Sequence, residues 1–225
     1  MTAYRRVGVR TCLVVLLLSG SATLAGCTVR YAVDQGALYY NRHQIDRADR
    51  KLSRVVDKDP TNWRGLYYLG LVRLEQDRPR DAELLLERSL SLHSDAPETP
   101  QILDGLAEAL YRQNRTANLF AVLEHATEYY GTSYDFTRQG KYMAKSGDPD
   151  AALLAFKKAV RFADPRDPTP YLAMADFYEQ VGDVPNAITA LRHAYTILPN
   201  DPFLAERFRR HGIVPGPSLT VEPGS

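Results

Sequence analysis

A small residue, a large apolar residue four positions on, and a small or aliphatic residue three further on recur along this chain about every 34 residues. The pattern reads Ala48-Leu52-Val55, Ala82-Leu86-Ser89, Ala152-Phe156-Ala159 and Ala187-Leu191-Ala194, with a weaker copy at Leu119-Leu123-Ala126. Ala48 and Ala82 are 34 residues apart, Ala82 and Ala152 are 70, and Ala152 and Ala187 are 35. Other positions keep the phase. Twelve residues before the small residue stands Gly36, Gly70, Ala107, Gly140 or Ala175. Five or four before it stand Asp77-Arg78, Asn114-Arg115, Gly147-Asp148 and Gly182-Asp183. A period of this size limits the chain to copies of one supersecondary unit, each too small to bury its apolar face alone.

Each copy carries two segments with apolar residues at helical spacing. In copy two these are Trp63–Glu75 and Pro79–Leu92, and Pro79 opens the second, where its missing N–H costs nothing. The short turns make each pair an antiparallel hairpin. Gly and Ala at the shared positions let two helix backbones approach closely. A larger side chain at Ala152 or Ala187 is expected to cost about 1–3 kcal/mol by overpacking. Pro202–His211 reads as a last, polar-backed helix with Leu204 and Phe208 on one side. The Pro-, Gly- and Ser-rich stretch 212–225 is expected to be disordered.

These positions resemble the tetratricopeptide repeat (TPR), with Leu69-Gly70 and Asp148-Pro149-Asp150-Ala151-Ala152 among the closest matches. The copies fall near 29–62, 63–96, 100–133, 133–166 and 168–201, with a cap at 202–211. Copy three departs most, with Leu119 at the small position. The resemblance implies an all-α fold: a right-handed superhelix of about five helical hairpins with a C-terminal capping helix. It also implies a concave face lined by the first helix of each pair. Carried over residue by residue, that face holds Tyr40 in copy one, Arg64, Tyr67 and Leu71 in copy two, and Asp104, Glu108 and Tyr111 in copy three. Copy four adds Lys141 with Arg138 beside it, and copy five adds Asp176. Tyrosine supplies apolar area and a hydroxyl at low entropic cost, which suits a binding face. The same rings also suit packing between helices. The implied occupant is a protein or peptide partner.

The first 27 residues address the chain. Arg5, Arg6 and Arg10 form a basic start, Cys12–Leu18 a short apolar run, and Leu24-Ala25-Gly26-Cys27 closes it. Small residues before a cut suit a signal peptidase. The segment resembles a bacterial lipoprotein signal peptide (1–26) and its lipobox. That implies lipidation of Cys27 and a tether to the cell envelope, with residues 27–28 as the lipidated N-terminus. Thr28 after the cysteine favours the periplasmic face of the outer membrane under the enterobacterial sorting rule. The competing reading is an uncleaved membrane helix, but the apolar run is well short of the roughly 20 residues such a helix needs.

Without the three leader arginines, 25 basic side chains stand against 27 acidic ones, so nothing points to nucleic acid. The two cysteines are Cys12 and Cys27, which leaves no disulfide for the processed fold. No nucleophile elbow, phosphate loop or metal-binding histidine pair is present. His43, His93, His125, His193 and His211 are scattered. The expectation is a non-enzymatic adaptor or scaffold without cofactor or metal. Two alternatives stay open: a self-associating structural lipoprotein, and a cell-wall glycan binder using tyrosine rings.

Overall fold

A computed structural model describes residues 29–94 and 98–221. Among them all regular structure is helical. Helix α1 covers 29–41. It is followed by α2 (Ile45–Lys58), α3 (Trp63–Glu75), α4 (Pro79–Leu92), α5 (Thr99–Arg112) and α6 (Thr116–Tyr129). Then come α7 (Ser133–Lys145), α8 (Pro149–Arg161), α9 (Thr169–Gln180), α10 (Val184–Ile197) and α11 (Pro202–Arg210), with a single 3-10 turn at Pro217–Leu219. Helices α3 and α4 span the two amphipathic segments read in copy two. Cys27 and the expected signal peptide (1–26) lie outside the described residues. No described helix is long and apolar enough to cross a membrane.

The turn inside each hairpin is built the same way. His43, Asp77, Asn114, Gly147 and Gly182 all have positive φ (55°, 55°, 55°, 85° and 77°), and each stands five residues before the small residue of its copy. A left-handed residue stops the first helix and turns the chain back. Second helices then start on a side-chain cap where the sequence offers one: Asp148 accepts from the Ala151 N–H at 3.0 Å and Asp183 from the Asn186 N–H at 3.2 Å.

Two compact units divide within α5, one ending at Ala109 and the other beginning at Leu110. In the first, Ala48, Leu52, Leu69 and Val72 form a buried cluster, flanked by Tyr39, Tyr40, Tyr68 and Leu85. In the second, Ala152, Phe156, Ala173 and Phe177 form one cluster. Ala175, Ala190, Leu191, Ala194 and Tyr195 join Leu204 and Phe208 of α11 in another. All five small positions (Ala48, Ala82, Leu119, Ala152 and Ala187) are at most 1 % exposed. The close helix approach is literal: a Cβ on Gly36, Gly70 or Gly140 would meet Leu52, Leu86 or Phe156 of the partner helix at 2.5–2.7 Å.

The expected disorder of the tail is corrected for residues 212–221. Ile213 and Leu219 pack on the α10–α11 cluster. Arg192 Nε donates to the Leu219 carbonyl at 3.1 Å, and the Val221 N–H donates to Thr196 Oγ1 at 2.9 Å. Two apolar side chains and two hydrogen bonds to α10 outweigh the turn-rich composition.

Candidate functional site

In the first unit the starts of α1 and α3 frame an open cleft of about 690 Å³, lined by Val29, Arg30, Val33, Trp63, Arg64 and the Asp59–Asn62 turn, with Glu98 at its edge. The turn is held locally. Asp59 accepts from the Thr61 N–H (3.2 Å), Thr61 Oγ1 (2.8 Å) and Asn62 Nδ2 (3.2 Å). The Thr61 hydroxyl bond, with the Asn62 and Thr61 N–H bonds, outweighs burial and holds the Asp59 carboxyl below its usual range. Asn62 caps α3 by accepting from the Gly65 N–H at 2.9 Å. Trp63 stacks on His93, with ring centroids 3.7 Å apart and planes 8° from parallel, and its carbonyl accepts from Ser89 Oγ at 2.8 Å. Arg64 pairs with Asp34 at 3.1 Å. Arg30 is exposed and makes no ion pair among the described residues.

Further along α3, Tyr67 and Leu71 are partly exposed, while Leu74 is buried. The Tyr67 ring lies 4.9 Å from Tyr68, which in turn lies 6.3 Å from Tyr40. Tyr40 packs on the core cluster; burial raises its hydroxyl pKa, with Glu75 and Tyr68 adding to the effect. It therefore serves packing at least as much as contact. Asp104 and Glu108, one turn apart on α5, are part-buried, and each has an interaction partner.

In the second unit Tyr111 and Tyr142 stand 5.8 Å apart, with Lys145 Nζ 5.1 Å and 4.8 Å from their centroids. Such contacts favour a cation held over ring faces. Lys141 is exposed and without an ion pair among the described residues. Arg138 departs from the expected exposed cation. It is 3 % exposed and donates to Asp135 at 2.8 Å. Asp135 also accepts from the Thr132 N–H and hydroxyl, closing the capping box that starts α7. Arg138 thus belongs to a buried helix-start network. Asp176 is taken up as well: Arg207 of α11 reaches it at 2.8 Å and Glu179 at 3.0 Å, while His211 Nε2 lies 2.9 Å from Glu179. For Glu179, burial raises the carboxyl pKa, but the His211 hydrogen bond and the Arg207 charge bring it below its ordinary value. Sequence reading missed this latch, although Arg207, Arg209 and Arg210 of PFLAERFRRH are visible there as an excess of positive charge over Glu206.

Among the described residues no group of three or more His, Cys, Asp or Glu is placed to hold a metal ion. The cleft and the flanking faces can hold a chain segment by apolar contact and point charges. Helix hairpins repeated at a fixed period, with part-exposed apolar, aromatic and charged side chains on α1 and α3, define a helical-repeat binding protein. The tetratricopeptide repeat profile matches residues 33–97, 69–118 and 137–202, and the chain belongs to that family. No curated protein sequence matches it. Solved structures share the fold. A thermophilic TPR protein of Thermus thermophilus is 21% identical over 81% of this chain and 97% of its own, with a TM-score of 0.61. PilW, a widely conserved type IV pilus biogenesis factor, is 16% identical over 82% and 86%, with a TM-score of 0.60. PilF of Pseudomonas aeruginosa is 19% identical over 82% and 86%, with a TM-score of 0.57.

Proposed function

We propose that this chain is a lipid-anchored, non-catalytic TPR adaptor of the bacterial envelope that holds a segment of a protein partner during complex assembly. One observation carries the binding half: the open cleft of about 690 Å³ at the head of α1 and α3, the size of a site for a few residues of chain. Its wall offers Val29 and the Trp63 ring for apolar contact, while Val33 of the lining is buried. Arg30, without an ion pair among the described residues, offers its charge to an acidic group. Tyr67 and Leu71 extend the same face along α3. The anchoring half is supported by the lipobox Leu24-Ala25-Gly26-Cys27. Two or more acyl chains hold a protein stably at a membrane. PilW, which shares the fold, is a type IV pilus biogenesis factor, and a part in building an envelope structure fits an adaptor so tethered.

Two measurements test the halves separately. Cys27→Ser should abolish radiolabelled palmitate incorporation; a variant that still labels refutes the anchor. Arg30→Glu combined with Tyr67→Ala should reduce capture of the main envelope partner by the full-length bait about tenfold, with an unchanged urea midpoint. Equal capture by wild type and variant removes the face assigned here.

A further inference from the structure

The second helix of each hairpin turns one stripe to solvent: the positions two, five, six, nine and ten after the small residue. In α6 and α8 all five are exposed. On α8 the stripe holds Lys157, Lys158 and Arg161 between two large apolar side chains, Leu154 at 58 % exposure and Phe162 at 55 %. None of the three cations makes an ion pair among the described residues; Lys158 rests 5.6 Å from the Phe136 ring. On α6 the same positions hold Ala121, Glu124, His125, Glu128 and Tyr129. Glu124 and Glu128 make no ion pair among the described residues, and His125 stacks on Tyr129, which is 63 % exposed, with centroids 5.7 Å apart. A basic and an acidic stripe of the same register therefore lie on successive second helices of one unit, both packed on α7, and neither neutralises the other. On α4 the equivalent stripe is mixed: Leu84, Glu87, Arg88, Ser91 and Leu92. On α10 the stripe is occupied, since Arg192 and Thr196 bind the chain's own tail. A second-helix stripe is thus already a docking surface in this fold.

We propose that the outer layer of the second unit pairs with a second copy of this chain, α6 of each protomer lying over α8 of the other. Successive second helices run in the same direction, so a two-fold axis along them exchanges the stripes. Glu124 and Glu128 then meet Lys157, Lys158 and Arg161 twice, and Tyr129, Leu154 and Phe162 are covered. Such a contact is isologous and closes at two copies. Helices α6 and α8, each about 20 Å long, both pack on α7 but not on each other, so the patch is two separate stripes rather than one continuous surface. That is the low end for a specific interface, so the dimer is weak, reversible and salt-sensitive. An anionic bilayer would also attract α8, but it would be repelled by α6 alongside. The pairing uses the outer layer and is independent of the cleft.

The test is a charge-swap rescue on the full-length lipidated protein in neutral detergent, read by sedimentation velocity and by co-purification of two differently tagged copies. Wild type should show a concentration-dependent dimer that weakens with added salt. Glu124→Lys/Glu128→Lys should weaken self-association at least about tenfold, and so should Lys157→Glu/Lys158→Glu/Arg161→Glu. Mixed one to one, the two variants should recover association to within about threefold of wild type, since each swapped stripe then meets its complement. That recovery also shows that both variants are folded. A wild type monomeric at every concentration overturns the proposal, as do swaps without effect or a mixture without rescue. Binding of monomeric wild type to phosphatidylglycerol vesicles, lost in the α8 swap, also overturns it and assigns the stripe to lipid.

Discussion

Gly140→Ala isolates the packing rule on which the repeat rests. A methyl group on Gly140 would sit 2.7, 2.8 and 2.9 Å from three ring carbons of Phe156, where ordinary carbon contacts are about 3.5–4.0 Å. Phe156 is 1 % exposed and packed with Phe177, so the ring has little room to retreat. Overpacking of this kind costs about 1–3 kcal/mol. The helix preference for Ala over Gly returns about 1 kcal/mol. The net expectation is a loss of up to about 2 kcal/mol. In copy five Ala175 takes the glycine position and Leu191 the ring position, both in one core cluster. A leucine meets an added Cβ at Gly36 or Gly70 as closely as Phe156 does at Gly140, but its branched end can change rotamer where a rigid ring cannot. Gly140→Ala/Phe156→Leu reproduces that pair. The double variant should therefore be more stable than the sum of the single variants by at least about 1 kcal/mol. Urea unfolding followed by circular dichroism, with the slope checked for constancy, measures all four corners of the cycle. A Gly140→Ala variant more stable than wild type, or additive single effects, would falsify the close-approach argument.

The same substitution should act through the backbone alone at Gly147, which has φ of 85° and nothing within 4 Å of an added Cβ. Gly147→Ala should cost about 1–2 kcal/mol and Gly147→Asn less, because Asn114 already adopts this conformation; urea midpoints decide. Acid should loosen the α2–α3 contact. Asp49 is part-buried, which raises its carboxyl pKa, but hydrogen bonds from Arg73 (2.6 Å), Gln76 (2.8 Å) and Ser53 (2.9 Å), with the Arg73 charge, lower it to about 2. A folded value below the unfolded one means stability that is present above about pH 4 and lost as pH falls toward 2. The contribution is about 1 kcal/mol after solvent screening. Asp49→Asn should flatten the fall in urea midpoint between those pH values, and an unchanged pH profile would contradict the assignment.

The period of small and apolar residues placed the hairpins because it is a local code. Ala48, Ala82, Ala152 and Ala187 mark where two helices touch, and the residue five before each marks the turn. Even Leu119, the poorest match, is buried where the register puts it. Helix periodicity says which side of a segment faces inward, and that much needs no tertiary information. The candidate face was legible only to the same extent. Tyr67 and Leu71 are partly exposed as the register implies, but Tyr40 leans into the core.

What the chain alone determined was the hairpin, its repetition and the side each residue takes. Only the folded structure decided which charges remain available. Arg138 folds under the surface onto Asp135, Asp176 is drawn to Arg207 thirty-one residues later, and the Pro- and Gly-rich tail is seated on Arg192 and Thr196. The physical reason is range. Helix and turn propensities act over a few residues, whereas an ion pair or a seated tail depends on where distant side chains end after packing. Lys141, Lys157, Lys158 and Arg161 remain exposed and without ion pairs among the described residues because no acidic side chain comes within reach of them there.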